Sequence, residues 1–393
     1  MKIVVVGIGG YGEKILDGLF LNPDNMDFEI TGYIAPRPKN NEYTKRLEEM
    51  GAKAYLSLED FYAENNVDLA VITSPIEFHI PQTIMSLERN IAVMCEKPIA
   101  GTVQDAYKMI EAEKNSDAFV AIGYQWSFSN AILDLKRDIL SGMYGKPKRL
   151  KTLVLWPRTQ RYFTRNNWAG RIKNDQGYWI LDSVANNATA HYIHNMFFVL
   201  GDSLKSSAQP KTIQANIYRA NEIENYDTCI ARVVTECDVE MLYYASHSTV
   251  KSHEPFLDFE FENGRIYADF DKEKCIYGQI GDKIIKYGNP FEHEMKKIFD
   301  CMKTIKGEDA NFCPIKAALP QLKTINAISE FYNIQDIPKD KIKTMLVEDN
   351  TTNLVYVENL YEDILKAFEE NRLLDESAQV KDISKYKNFD GVK

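Results

Sequence analysis

The chain has 393 residues, of which 45% are hydrophobic and 26% are charged, and its formal net charge is −10. A chain of this length is expected to form two buried cores rather than one. Its acidic balance argues against general binding to nucleic acid or to anionic membranes.

The six cysteines form no Cys-x-x-Cys pair, and the histidines and cysteines lack the spacing of zinc ligands. Scattered cysteines in a chain of this size favour reduced thiols and no metal site. The N-terminus leads directly into a strand-like run, and no apolar run approaches the roughly 20 residues that a membrane span needs. We therefore expect a cytoplasmic protein.

Strand-like and helix-like patterns alternate through the first third of the chain. The predicted strands are residues 2–6, 29–34, 52–56, 68–73, 90–95 and 118–124. The predicted helices are residues 13–21, 45–50, 58–65, 80–89 and 103–115. This alternation indicates βαβ units and a parallel sheet.

A glycine-rich turn separates the first strand from the first helix. Gly-x-Gly-x-x-Gly in this position is typical of dinucleotide binding, because the first glycine allows a tight turn and the second admits a pyrophosphate. The third lets the helix pack on the strand, and the helix N-terminus attracts phosphate. The predicted cofactor-binding residues of the turn are Gly7, Ile8, Gly9, Gly10, Tyr11 and Gly12.

The second predicted strand is followed by Ala35, where an NAD-preferring site usually carries Asp or Glu for the ribose hydroxyls. Two cations, Arg37 and Lys39, follow closely. This combination favours a 2′-phosphate and therefore NADP over NAD. The alternative is that Arg37 is merely solvated on a proline-rich loop.

The fifth predicted strand ends in Glu96, Lys97 and Pro98. Ligands bind at such strand ends in open α/β folds, and Pro98 favours an extended Lys97. The alternative is a solvated turn. Further cofactor-edge residues are predicted after the fourth strand and at this turn, namely Ser74, Pro75, His79, Glu96 and Lys97. A structural role is the alternative for His79.

These motifs resemble those of the glucose–fructose oxidoreductase / inositol dehydrogenase (Gfo/Idh/MocA) family. The resemblance also rests on Gly123-Tyr124-Gln125, Gly142-x-x-Gly145-Lys146-Pro147, a helix led by Asp182, and Cys313-Pro314-Ile315-Lys316-Ala317-Ala318. It covers roughly residues 1–335. It implies an α/β fold with an N-terminal Rossmann domain and a second α/β domain containing a large, mostly antiparallel open sheet. It also implies a nicotinamide cofactor, a sugar or polyol substrate, and a homodimer or homotetramer.

The predicted domains are a dinucleotide-binding domain at 1–125, a substrate-binding and oligomerisation domain at 126–345, and a C-terminal extension at 346–393. The predicted strands of the second domain and the tail are 148–156, 212–218, 228–237, 239–247, 256–262, 264–269, 283–287 and 352–357. The predicted helices are 128–141, 182–200, 292–305, 314–332 and 360–371. The polar segment from Glu376 onward is expected to be loosely held.

A loop at 158–171 is rich in arginine, asparagine and aromatic residues. Aromatic faces stack on sugar rings and guanidinium groups grip carboxylates or hydroxyls, so Trp168 and Arg171 are predicted substrate contacts. The alternatives are a solvated loop or an arm that packs on a neighbouring subunit. Tyr124 and Trp126 are predicted to line the substrate cleft, with hydrophobic packing as the alternative.

Asp182 and Asn186 are four residues apart on the helix predicted at 182–200, so they are expected to share a face. The resemblance implies Asp at the first position and a catalytic histidine at the second. Asn186 cannot serve as a general base. The predicted catalytic set is therefore Lys97 as acid/base, with Asp182 and Asn186 fixing the substrate. A tyrosine or water relay, and helix capping by Asp182, are the alternatives.

The leading functional hypothesis is an NAD(P)-dependent dehydrogenase or reductase of a sugar, sugar acid or polyol. A redox-neutral enzyme that retains its cofactor is a second reading. A non-catalytic sensor that binds cofactor and sugar is a third.

Overall fold

The computed structural model describes residues 1–37, 40–347 and 351–393. The described chain separates into two compact units. The first contains Met1–Ala100, Gln104–Ser129 and His293–Ala318, and the second contains the segments Gly101–Val103, Asn130–Glu292 and Leu319–Lys393. Residues 293–318 thus group with the N-terminal unit although they follow most of the second unit along the chain. The domain boundaries inferred from the sequence stay a prediction.

Eleven helices are present in the described parts of the chain. They are α1 (Tyr11–Leu21), α2 (Glu42–Glu49), α3 (Leu58–Glu64), α4 (Ile76–Leu87), α5 (Val103–Lys114), α6 (Asn130–Leu140), α7 (Gln160–Phe163), α8 (Ala190–Val199), α9 (Lys296–Ile305), α10 (Ile315–Phe331) and α11 (Leu360–Glu369). Shorter turns of 3₁₀ helix occur at Gln125–Phe128 and Lys339–Lys341, and a π-helical turn occurs at Val184–Ala188.

The strands number eighteen over the same described residues. They are β1 (Lys2–Val6), β2 (Glu29–Ile34), β3 (Lys53–Tyr55), β4 (Leu69–Ile72), β5 (Ala92–Cys95), β6 (Val120–Ile122), β7 (Pro147–Leu155), β8 (Pro210–Arg219), β9 (Thr228–Thr235), β10 (Glu240–Ser246), β11 (His253–Phe261), β12 (Arg265–Asp269), β13 (Ile276–Ile280), β14 (Lys283–Gly288), β15 (Gln335–Asp336), β16 (Ile342–Val347), β17 (Thr352–Val357) and β18 (Lys381–Asp382).

The first unit is built on a parallel sheet with strand order β3-β2-β1-β4-β5-β6. Every neighbouring pair in this sheet is parallel. Four apolar residues of β1 are buried, as continuous β-branched runs are when helices cover both faces of a sheet. This strand order is that of a Rossmann fold, in which β2 and β3 lie on one side of β1 and the strands β4, β5 and β6 lie on the other. The predicted Rossmann architecture is confirmed.

The second unit contains a larger sheet with the order β14-β13-β12-β11-β7-β10-β9-β8-β15, and β18 also pairs with β8. The β7–β10 and β8–β15 pairs are parallel. The remaining pairs are antiparallel. The expected large, mostly antiparallel sheet is therefore present, with two parallel pairs that the sequence pattern did not indicate.

The C-terminal helix α11 covers part of this sheet. Apolar residues of α11 and its flanks form one buried cluster with residues of β7, β9 and β10. The members of this cluster are Leu153, Leu155, Ile230, Leu242, Tyr244, Val357, Leu360, Ile364, Ala367, Phe368 and Leu373. The 3.6-residue spacing of Leu360, Ile364 and Ala367 places them on one face of the helix, which explains why α11 docks there.

The polar C-terminal segment is held more firmly than expected. β18 pairs with β8, Glu376 accepts hydrogen bonds from Arg232, and Phe389 is buried. The prediction of a loose tail after Glu376 is therefore wrong. Low hydrophobicity did not prevent packing, because strand pairing and ion pairs supply the contacts.

The six cysteines, which all lie in the described residues, form no disulfide bond. The described residues contain no group of three or more His, Cys, Asp or Glu side chains arranged to hold a metal ion. Across the same residues, no helix is both long and apolar enough to cross a bilayer.

Candidate functional site

The glycine turn between β1 and α1 has the geometry that its sequence predicts. Gly7 has a φ of +87°, and a Cβ there would lie 2.9 Å from the Ser74 backbone nitrogen. A Cβ on Gly12 would collide with the Gly7 carbonyl oxygen, whereas a Cβ on Gly9 would meet nothing within 4 Å. Gly7 and Gly12 are therefore required by packing, and the space beside Gly9 fits a pyrophosphate that approaches the backbone.

Helix α1 starts at Tyr11, and its N-cap residue Gly10 makes no side-chain capping hydrogen bond. An uncapped helix N-terminus presents backbone N–H groups and the positive end of the helix dipole. The residues of the turn thus fit the phosphates of a dinucleotide.

His79 joins the ends of β4 and β5. Its ring nitrogens lie 2.9 Å from the Pro98 carbonyl oxygen and 2.9 Å from the Ser74 carbonyl oxygen. The side chain is buried, and burial lowers its pKa although the carbonyl oxygens oppose that shift. This geometry favours the structural role for His79, and Ser74 itself is placed beside Gly7.

Glu96 belongs to a buried ion pair. Its carboxylate accepts a hydrogen bond from the amine of Lys297 on α9, and its Oε2 lies 3.3 Å from the backbone nitrogen of Lys97. A Cβ on Gly123 would lie 2.6 Å from Glu96 Oε1, so the glycine of the Gly123-Tyr124-Gln125 motif makes room for this carboxylate. The cofactor contact predicted for Glu96 stays a prediction.

The sequence interpretation missed Lys297. Its side chain is fully buried, and it lies on the face of α9 that also buries Ile298 and Cys301. A lysine within an otherwise apolar helical stripe is the signal that indicates a buried ion pair.

Lys97 is the second residue after β5 and is half-buried, and its peptide bond to Pro98 is cis. It thus lies at the carboxyl end of a central parallel strand, which is where the sequence predicts it. Arg37, after β2, is exposed, and Ala35 is buried. Lys39 lies outside the described residues.

In the second unit, Asp182 is buried and is not a helix cap. Its carboxylate accepts hydrogen bonds from the Gly170 backbone nitrogen at 2.6 Å and from Asn187 Nδ2 at 2.8 Å. The guanidinium of Arg165 lies 3.8 Å away. Asp182 therefore fastens the end of the 158–171 loop.

The helix predicted at 182–200 begins as a π-helical turn, and its N-cap is Ser183, whose hydroxyl accepts from the Asn186 backbone nitrogen at 3.2 Å. The alternative that Asp182 caps the helix is therefore wrong, because the next residue, Ser183, is the cap. Asn186 is fully buried, and its amide nitrogen lies 3.2 Å from the Leu181 carbonyl oxygen. The expected shared α-helical face is absent because the turn is not α-helical.

The other predicted substrate contacts differ in exposure. Trp168 is partly exposed, and the Arg165 guanidinium lies 5.0 Å from its ring centre. Arg171 is engaged with Asp175 at 2.6 Å and Glu224 at 3.2 Å. Both ion pairs are on the surface, where they hold the side chain weakly.

Tyr124 and Trp126 are fully buried in the first unit. Their burial favours the packing alternative, and their substrate role stays a prediction.

Residues 1–124 match the model of an oxidoreductase family with an NAD-binding Rossmann fold. This N-terminal part of the chain is similar to the Gfo/Idh/MocA family. The match supports the predicted resemblance over these residues and agrees with the Rossmann topology of the first unit.

Curated relatives match over the same region. An inositol 2-dehydrogenase of Salmonella paratyphi B is 36% identical over 149 residues, which are 37% of this chain and 44% of the relative. A myo-inositol 2-dehydrogenase of Thermotoga maritima is 26% identical over 152 residues, or 38% of this chain and 44% of the relative. The matched part thus spans less than half the length of these relatives.

Solved structures share the fold over most of the chain. The WlbA dehydrogenase of Bordetella pertussis, in complex with NADH and UDP-GlcNAcA, has a TM-score of 0.66 at 18% identity and covers 82% of this chain and 93% of its own. A levoglucosan dehydrogenase in complex with NADH has a TM-score of 0.69 at 12% identity and covers 84% of this chain and 95% of its own. At these identities the similarity shows the two-part architecture of the fold.

Proposed function

We propose that the protein is an NAD(P)-dependent oxidoreductase that transfers a hydride between a nicotinamide and a hydroxyl or keto carbon of a sugar, sugar acid or polyol. The observation that carries the proposal is the position of Lys97. The lysine follows β5, two strands from the β1–α1 glycine turn in the same parallel sheet. Dinucleotides bind across the carboxyl ends of such strands.

A bound nicotinamide nucleotide supplies the hydride acceptor or donor. The residues of this chain transfer the proton that accompanies the hydride. In the oxidation direction, the Lys97 amine removes the proton from the substrate hydroxyl while the C–H bond breaks. In the reduction direction, the Lys97 ammonium protonates the alkoxide. A lysine side chain suits both steps, because its amine accepts a proton and its ammonium donates one.

The substrate-side proposal retains Asp182, Asn186, Trp168 and Arg171. Asp182 supports it through its hydrogen bond to Gly170, since this contact orders the loop that carries Trp168 and Arg171. Asn186 supports the proposal because its side-chain amide donates to the Leu181 carbonyl oxygen. This hydrogen bond restrains the backbone next to Asp182. In this proposal both residues fix the substrate and neither transfers a proton.

For the cofactor we propose a preference for NADP over NAD. The support is the absence of an acidic residue at Ala35 and the exposed cation Arg37 two residues later. A 2′-phosphate carries charge that a guanidinium binds in bidentate fashion.

The substrate class is supported by what the compared proteins are called. The N-terminal relatives are inositol 2-dehydrogenases, and two neighbours in fold are complexes with UDP-GlcNAcA and with levoglucosan. We further propose a cytoplasmic homodimer or homotetramer, in keeping with the acidic composition and with cysteines that form no disulfide bond in the described residues.

The decisive experiment incubates the purified protein with NAD or NADP and a panel of inositols, aldoses and sugar acids, and follows nicotinamide absorbance. Turnover with at least one polyol or sugar supports the proposal. Nucleotide that stays bound through purification, with no net absorbance change but altered sugar, indicates the redox-neutral route. Tight binding of nucleotide and sugar without chemistry indicates a sensor, and no nucleotide binding refutes the proposal.

A further inference from the structure

One buried cation in the Rossmann unit contacts two functional segments. The amine of Lys297 donates to the Glu96 carboxylate and lies 3.0 Å from the Tyr11 hydroxyl, 4.7 Å from the centre of the Tyr11 ring. Burial by itself lowers the pKa of Lys297, but Glu96 and Tyr11 outweigh it and the pKa is raised. The lysine is therefore a permanent charge in the interior.

Its two partners lie in the segments on which the proposed function depends. Tyr11 is the first residue of α1 and belongs to the glycine turn. Glu96 precedes Lys97, and its second carboxylate oxygen faces the Lys97 backbone nitrogen at 3.3 Å. The amine of Lys297 thus connects the phosphate-binding turn to the backbone that carries the proposed acid/base.

Simple anchoring of α9 does not require this charge. Buried apolar residues of the helix, among them Ile298, Phe299 and Met302, already hold it in the unit. A buried ion pair stabilises a fold little compared with apolar residues of similar size, because desolvation of both charges offsets their attraction. Its distinctive effect is to fix the orientation of the groups that it contacts, because charge-assisted hydrogen bonds are short and geometrically specific.

We propose that Lys297 is a positioning residue, which holds Tyr11 in the glycine turn and Glu96 beside Lys97 in the arrangement that binds the nicotinamide nucleotide. The inference rests on the proposed function. It assigns a role to a residue whose amine contacts Tyr11 and Glu96.

The test measures NADH and NADPH affinity by fluorescence titration in Lys297→Met, well below the unfolding temperature of each protein. Loss of two charge-assisted hydrogen bonds is expected to weaken binding at least about tenfold. Lys303→Met is the matched control, because it removes another α9 ion pair, to Asp24, that does not reach Tyr11 or Glu96. The control is expected to lose some thermal stability and to bind nucleotide as the parent does.

Two further variants keep the test decisive if Lys297→Met does not fold. Lys297→Met combined with Glu96→Gln removes the unpaired carboxylate, and Tyr11→Phe removes only the hydroxyl. Both are expected to weaken nucleotide binding several-fold. Parent-like affinity in the folded variants overturns the positioning role and leaves the proposed function intact. Failure of the parent to bind either nucleotide overturns both.

Discussion

At the scale of single residues, the difference between Glu96 and Lys97 is instructive. Both are charged residues at the end of β5, yet Glu96 is buried against Lys297 whereas Lys97 remains half-buried. The carboxylate has its counter-charge within the fold, on Lys297. Our proposal assigns proton transfer to the amine of Lys97.

Replacement of Lys97 tests that role directly. Lys97→Met removes the amine but preserves side-chain length, so we expect the turnover rate to fall at least about 100-fold, as for loss of an acid–base group. Nucleotide affinity is expected to stay close to that of the parent. Steady-state rates and a fluorescence titration measure the two effects, with the exposed Lys108→Met as the control. Unchanged turnover in Lys97→Met refutes the assignment.

Arg37 decides the cofactor preference in our proposal. We expect Arg37→Ala to weaken NADP binding about tenfold while NAD binding is unaffected, because only NADP carries the 2′-phosphate. Titration of both nucleotides into both proteins measures the difference. Arg89→Ala, an arginine just after α4 in the same unit, serves as the control. An equal effect of Arg37→Ala on the two nucleotides contradicts the 2′-phosphate argument.

At the scale of elements, α11 shows how the C-terminal extension becomes part of the second unit. Besides the apolar cluster, the Lys151 amine lies 3.1 Å from the Phe368 carbonyl oxygen, and the Tyr244 hydroxyl lies 2.9 Å from that of Arg372. The first bond adds a side-chain donor to a carbonyl oxygen in the last turn of α11, and the second holds the segment that follows the helix. The sheet surface under α11 is therefore occupied by the chain itself.

Ile364, which is fully buried in this cluster, provides the test of that packing. We expect Ile364→Ala to lower the free energy of unfolding by about 2–5 kcal/mol, through lost burial and a residual cavity. Nucleotide affinity is expected to be unchanged. Denaturant titration measures the loss, and exposed Glu362→Ala is expected to stay within about 0.5 kcal/mol of the parent. If Ile364→Ala lowers the free energy of unfolding no more than Glu362→Ala does, the result contradicts the packing of α11 on the sheet.

At the scale of the whole molecule, buried histidines link stability to pH. Burial and the charge of Lys136 lower the pKa of His194 to about 3. Burial and the charge of Arg158 lower the pKa of His247 to about 3 as well. Both are therefore neutral in the folded protein, and the unfolded chain binds more protons below the ordinary histidine pKa.

The sign of this linkage predicts acid destabilisation. As pH falls from about 7 to 5, each buried histidine is expected to lower the free energy of unfolding by about 2 kcal/mol, because the histidine is protonated only in the unfolded chain. His194→Leu removes one such group, so its loss of stability over that range is expected to be smaller than that of the parent by about this amount. Denaturant titrations across the range measure it. Parallel pH curves for the two proteins contradict the role of His194.

Local signals in the sequence predict the Rossmann fold of the first unit and the order of its strands and helices. β1 and β2 match their predicted ranges, because continuous apolar runs and glycine turns are local signals that need no knowledge of distant partners. The same is true of Lys97, since a strand followed by Glu-Lys-Pro defines its own position at a sheet edge.

The tertiary structure alone decided which polar groups meet. Lys297 and Glu96 are 201 residues apart, Asp182 bonds the backbone of Gly170, and Arg232 reaches Glu376 across the second unit. No spacing in the sequence encodes these pairs, because each depends on how separate elements pack. The same reason explains why the sequence pattern did not predict the packing of the C-terminal segment. Its contacts come from strand β8 and from Arg232, which only the fold brings to it.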